Sequence, residues 1–449
     1  MLRCWRRGLV VLGLGLWATL LVACGSSERP ACLPVDLEPK ITKMPPVEEA
    51  GPVVVWVDAS GSMAGYLRRG KPLSGDIPYK DLIQTLPQWM DMVASKVDYF
   101  RFGKTVQAMS RGDFLNAARE SFYRDPRLKD SSRISDPIAK AVEQDASVLT
   151  VIITDLFLSG AELDLSASGA LRRPLTQALQ QGKHVALLGI RNPFSDKIYD
   201  LSGGKPLDYT GERPFYLILI GPETRIATLY RRLQQEILSN LPADYYHFTL
   251  FTPDLIDTPA PSTPSTPRNS GIKPARILKN SQPNMAQFAV ERDSAPLVLD
   301  VPLAPLKTPP RLTWSSLQLR EQLYHYTPRQ GRCEWDLVEL PPLGKLETAN
   351  VDAVKIQLFS ERERILSLPK GGIFVLALDV VATQLAPASP DWAKAWSFKP
   401  GDEERLRTEL PPFFPTPHLA HIAEVMASIV SEHYQPETLA TAYVVFQIQ

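Results

Sequence analysis

The sequence predicts an α/β protein, a doubly wound and mostly parallel sheet followed by a β-rich second domain, on three observations. A short unbroken apolar run at 52–57 and the mainly apolar strand-like stretches at 148–153 and 184–190 alternate with stretches of helical periodicity across the first 255 residues. A strand apolar at every position is covered on both faces, and such strands alternating with helices describe a sheet wound in both directions. Next, 257–270 carries Pro, Ser and Thr but no core-forming residue, which marks a linker. Beyond it, strands punctuated by Pro, Gly and polar turns replace the helical spacing. At 449 residues, the chain exceeds one ordinary core, and about one domain per ~150 residues gives two or three units.

The elements follow in order. After the apolar run 52–57, residues 77–95 have helical spacing, 97–102 form a strand, 138–142 begin a short helix, and 148–153 form the second buried strand. A helix at 171–181, strands at 184–190 and 215–220, and an amphipathic helix at 224–238 come next, with 245–251 adding a strand at the edge. In the second half, 297–301, 333–338, 354–358, 372–382 and 441–449 read as strands and 419–431 as a helix. A sandwich suits that pattern. The 41 prolines fit extended connectors and strand edges better than a mostly helical protein.

Charge sets limits on partners. Lys+Arg and Asp+Glu both number 49, so no net field draws the chain to nucleic acid, and no basic run offers a phosphate-binding patch.

The first residues read apart from the rest. Arg3, Arg6 and Arg7 precede an apolar run from Gly8 to Ala23 that is shorter than the ~20 residues a membrane-spanning helix needs. The run ends in Leu21-Val22-Ala23-Cys24, which resembles the lipobox of bacterial lipoprotein precursors. The resemblance implies cleavage before Cys24, lipidation of that cysteine and anchoring in the cell envelope; several acyl chains hold a protein durably where one does not. Gly25 stands where inner-membrane lipoproteins usually carry Asp, so a Gram-negative host is expected to sort the protein to its outer membrane. Five prolines between residues 30 and 46 make the following stretch a spacer. The expected organisation is a signal peptide at 1–23, a Pro-rich tether at 24–50, an α/β domain at 51–255, a linker at 256–275 and a β-rich domain at 276–449. Cys4 leaves with the signal and Cys24 carries lipid, so Cys32 and Cys333 remain, as a disulfide in an oxidising compartment or as two thiols. His418 and His421 share a helical face without further ligands, which is too little for zinc.

The chemistry concentrates at the end of the first buried strand, Asp58-Ala59-Ser60-Gly61-Ser62-Met63. Open α/β sheets bind ligands at the carboxyl ends of their strands. A hard cation such as Mg²⁺ takes about six oxygens and keeps some of its waters, so carboxylates plus hydroxyls form a suitable incomplete shell. Asp58, Ser60 and Ser62 alternate along one turn and can aim oxygens at one centre. A second buried strand, Val151-Ile-Ile-Thr-Asp155, also closes on an aspartate. With no cation, the same residues would cap the turn and the helix that follows.

Asp-x-Ser-x-Ser after the first strand, with the later strand-ending aspartate, resembles the metal-ion-dependent adhesion site of von Willebrand factor A domains. The resemblance covers about 51–255. It implies Mg²⁺, or Mn²⁺ or Ca²⁺, held directly by Ser60 and Ser62, with Asp58 and Asp155 acting directly or through water, and completed by a partner's oxygen. The family's middle-loop threonine is replaced. In Ser135-Asp136-Pro137-Ile138, Asp136 takes its place, as a third carboxylate or as a plain helix N-cap before Pro137 at the first helical position, and Ser135 is the substitute if Asp136 only caps.

The chain has no phosphate-cradling Gly-x-x-x-x-Gly-Lys-Ser loop, no Gly-x-Ser-x-Gly elbow and no histidine near the Asp58 and Asp155 motifs. The expected function is therefore a binding module: an envelope lipoprotein that grips an envelope or surface protein through its metal. The alternative is a metal-dependent hydrolase of the envelope, which lacks a base to activate water.

Overall fold

The computed structural model describes residues 30, 33, 34 and 50–449, apart from 69–76, 158–165, 200, 202–205, 258, 262–263, 265–270, 280–284, 309, 330–331, 351, 387–388 and 399–400. The signal segment, Cys24 and Cys32 lie outside the described residues. No described helix is long and apolar enough to cross a membrane.

The first half is a seven-stranded sheet. Its strands are β1 (Val53–Asp58), β2 (Val97–Phe102), β3 (Val106–Met109), β4 (Leu149–Thr154), β5 (His184–Ile198), β6 (Leu207–Gly221) and β7 (Tyr246–Phe251), in the order β3-β2-β1-β4-β6-β5-β7. The apolar run of β1 divides as its alternation requires. Val53, Val55 and Val57 join the core under the helices Pro78–Val93 and Glu223–Glu236, while Val54 and Trp56 join the core under Ser135–Glu143 and Ser166–Gln180. Both faces are covered.

The expected parallel majority is corrected here. β1 pairs parallel with β2 and β4, but β2 with β3, β4 with β6, β6 with β5 and β5 with β7 are all antiparallel. The cause is a hairpin. β5 returns directly as β6, and a hairpin forces antiparallel pairing where a helical crossover would have allowed parallel strands. Sequence reading also stopped both strands short, at 190 and from 215. In the structure their pairing continues from Arg191–Pro214 to Ile198–Leu207, past the Thr154–Tyr216 pair that ends the β4 contact, and forms a two-stranded ribbon beyond the sheet.

Behind the first sheet lies a second seven-stranded sheet, with the main order β13-β12-β16-β19-β10-β9 and β8 paired to β19. These strands are β8 (Ala260–Pro261), β9 (Ile272–Pro274), β10 (Met285–Val290), β12 (Trp314–Arg329), β13 (Arg332–Val338), β16 (Ile373–Leu385) and β19 (Glu437–Ile448). A smaller sheet has the order β11 (Leu297–Pro302), β15 (Ala353–Leu358), β14 (Gly344–Ala349), and β17 (Ser397–Phe398) pairs with β18 (Thr416–Pro417). The chain is a mixed α/β structure with mixed sheets. Two features depart from a plain linker between separate units. Residues 260–261 and 272–274 are themselves strands of the second sheet, and one apolar core runs from Trp56 and Ile152 through the helix Leu419–His433 to Val444 and Phe446. Pro30 and Leu33, expected in the tether, also touch this half: the Pro30 carbonyl accepts from the Lys279 amide at 3.0 Å, and Leu33 packs with Ile277, Leu278 and Tyr324.

Candidate metal site

β1 and β4 are neighbours and parallel, with Val57 opposite Ile153, so the residues following them, Asp58 and Asp155, arrive at the same end of the sheet. Each is fully buried. Asp58 Oδ1 accepts from the Ser60 amide at 2.8 Å, and Oδ2 accepts from the hydroxyls of Ser132 at 2.7 Å and Thr154 at 2.9 Å. Ser60 Oγ and Ser62 Oγ lie 3.1 Å apart, both on buried side chains. From Gly61 the chain turns into the tight 3-10 segment Gly61–Leu67, which holds the two serines beneath the strand end.

Asp155 is positioned by a turn. Leu156 takes a left-handed backbone at φ 58°, unfavourable for a leucine, and its buried side chain holds it there. The turn brings the Phe157 amide back to Asp155 Oδ1 at 3.1 Å. Asp155 Oδ2 is buried and receives no hydrogen bond from the described residues. Its near neighbour is Arg213 of β6, whose Nη2 stands 3.8 Å away; both side chains are 0 % exposed.

The electrostatics follow from this crowding. Burial first, then the charge of Asp155, push the Asp58 carboxyl up to about 7, against the hydrogen bonds from Ser132 and Ser60. Tyr79 and Tyr123 hydrogen-bond each other at 2.7 Å nearby, and burial drives both phenols well above their ordinary range, with the Asp58 charge adding to the effect. Neither supplies a base. None of the chain's six histidines is among the hydrogen-bond partners of Asp58 or Asp155.

Four of the residues singled out from sequence, Asp58, Ser60, Ser62 and Asp155, therefore converge. Ser135 and Asp136 open the helix Ser135–Glu143, whose N-cap is Ile134, so the expected N-cap role of Asp136 is corrected: it lies in the first turn, and its amide donates to the Arg133 carbonyl at 3.2 Å. A hydroxyl that reaches Asp58 is that of Ser132, three residues before Ser135. The sequence signal at 135–142 is the helix itself and does not extend to Ser132 before it. Thr154 reads as one more residue of a mainly apolar strand, and Arg213 precedes the apolar run 215–220 from which its strand is read. Cys333 lies on β13 and the disulfide expectation has its other half outside the described residues.

The site was expected to be open to a partner, and it is covered. The ribbon of β5 and β6 packs on the Gly61–Leu67 turn: Tyr66 donates its hydroxyl to the Pro214 carbonyl at 2.7 Å, and the Asn192 amide donates to the Tyr66 carbonyl at 2.9 Å. Arg68 pairs with Asp196 at 2.8 Å. A Cβ at Gly65 would collide with the Phe194 ring, so glycine allows this close approach.

A second group of potential ligands, His184, Glu223 and Asp254, has its ligand atoms within 4.8 Å of one another. It lies at the opposite end of the sheet, where β5 begins. Lys307 at 3.6 Å and Arg311 at 3.2 Å already stand on Glu223 Oε1, so this is a neutralised charge network.

The donor set fits a divalent ion. Ser60, Ser62 and Asp155 would hold it, the last through the oxygen that no donor reaches, with Asp58 orienting the hydroxyls around them. Comparison with models of known families, with curated proteins and with solved structures finds no match to this chain.

Proposed function

We propose that the chain is an envelope-anchored binding module, held by lipid at Cys24, whose Asp58, Ser60, Ser62 and Asp155 take a Mg²⁺ or Mn²⁺ ion and through it a carboxylate or other oxygen of a protein partner. One observation carries the reading: two carboxylates end adjacent parallel strands inside a buried cluster of hydroxyls, where repulsion between buried carboxylates favours a cation. Among the described residues the cluster holds acceptors and hydroxyls and no histidine hydrogen-bonded to Asp58 or Asp155, which suits holding an ion better than turning over a substrate. Because the cluster is covered, partner engagement requires the ribbon of β5 and β6 to move.

The test is capture of native envelope partners on the immobilised protein in Mg²⁺ and in chelator. Partners retained only with the ion, and lost with Ser60→Ala combined with Ser62→Ala, support the reading. Metal-dependent turnover in a phosphatase and esterase screen, lost in Asp58→Ala, would replace it with the hydrolase.

A further inference from the structure

Full burial is unusual for an arginine, and Arg213 is fully buried. It stands at the start of the apolar part of β6, its guanidinium carbon is 5.3 Å from the centre of the Phe194 ring, and Nη2 is 3.8 Å from Asp155 Oδ2. Burying a guanidinium is costly unless an anion answers it, and among the described residues an anion beside it is Asp155, one of the carboxylates of the candidate metal site. The distance is longer than a hydrogen bond, so the pairing is through charge.

We propose that Arg213 is a tethered counter-cation for the Asp58 and Asp155 cluster, which a divalent ion must displace, so that the ribbon of β5 and β6 acts as a gate on metal binding. This rests on the metal reading above. A guanidinium and a divalent ion that both answer Asp155 Oδ2 repel each other, and in a buried site that repulsion is weakly screened. The two states therefore exclude one another: ribbon down with Arg213 on Asp155, or metal on Asp155 with Arg213 withdrawn.

The geometry also shows what holds the gate. Glu212, next to Arg213, donates its amide to the Pro412 carbonyl at 2.8 Å and accepts at its own carbonyl from the Phe414 amide at 2.8 Å. Tyr209, on the same strand, donates its hydroxyl towards the Pro411 and Pro412 carbonyls at 2.8 and 2.9 Å. The C-terminal half thus clamps the strand that carries the counter-cation, and a change in that clamp is felt at the metal site.

Calorimetric titration of the full chain with Mn²⁺ tests this, comparing wild type, Arg213→Gln and Arg213→Lys. Arg213→Gln should bind Mn²⁺ at least about tenfold more tightly than wild type, and should melt lower in chelator with the loss restored by the ion. Arg213→Lys keeps the charge and should stay close to wild type. Equal Mn²⁺ affinity in wild type and Arg213→Gln overturns the gate while leaving the metal reading standing; no Mn²⁺ binding by either overturns both. If Arg213→Gln fails to fold in both conditions, Arg213→Gln combined with Asp155→Asn removes both charges together and should recover a cooperative melt. Failure of that pair also overturns the counter-cation role.

Discussion

Ser132 reaches across 74 positions of sequence to donate its hydroxyl to Asp58 Oδ2 at 2.7 Å. It lies in the loop that precedes the helix Ser135–Glu143. A hydrogen bond to a buried charged acceptor is worth about 1.5–3 kcal/mol, so Ser132→Ala should lower stability by roughly that amount and weaken Mn²⁺ binding, as followed by denaturant melts and titration. Ser135→Ala should do much less. Equal effects of the two substitutions would return the middle-loop role to Ser135.

Asp136→Thr separates a third carboxylate at the site from a charge on the first turn of the helix, whose N-cap is Ile134. Asp136 lies in the first turn of Ser135–Glu143, where a negative charge favours the helix and is worth about 1 kcal/mol or less. Its replacement should therefore alter melting slightly and leave the Mn²⁺ isotherm unchanged. A clear loss of affinity would make the site a three-carboxylate one.

In chelator, stability should fall with rising pH. Burial and the neighbouring Asp155 raise the Asp58 carboxyl from 3.8 to about 7 in the folded state. A raised folded value means that folding takes up a proton, so the contribution is fully present below the unfolded value and is lost as pH rises towards about 7. Thermal melts between pH 5 and 8 should show a decline that saturating Mn²⁺ reduces.

Asp58→Asn should flatten that dependence. The neutral amide keeps an acceptor for the Ser60 amide and can donate to the Ser132 and Thr154 hydroxyls, so the fold persists, while the ion loses one of its charges. Melting at pH 8 in chelator should rise above wild type, and the gain on adding Mn²⁺ should disappear. A metal-dependent shift as large as wild type's would remove Asp58 from the site.

Residues 51–255 expressed alone should be marginal. The core that begins at Trp56 and Ile152 continues through the helix Leu419–His433, and Arg172 pairs with Glu432 across the join. Cutting at 255 uncovers apolar surface, which should show as binding of a hydrophobic dye and a broadened melt compared with the full chain. A sharp, dye-free transition would establish independent folding.

Much of this was legible in the residues. The buried strands were visible because a strand covered on both faces is mainly apolar, as Val53–Asp58 is up to its last residue and Leu149–Thr154 is apart from Thr150 and Thr154. The pairing of Asp58 with Ser60, Ser62 and Asp155 was visible because short-range alternation and strand ends fix where polar side chains can gather. What the sequence did not carry is long-range. Ser132, Thr154 and Arg213 are ordinary residues until the chain brings them to Asp58 and Asp155, and no local period records that meeting. The hairpin of β5 and β6 was hidden because residues 191–198 and 207–214 mix polar and apolar side chains in a ribbon half open to solvent, so the apolar run that marks a buried strand stops at Ile190 and resumes at Phe215. Tertiary structure alone decided that this ribbon covers the site and sets a guanidinium against Asp155, because the burial of a charge is decided by everything packed around it.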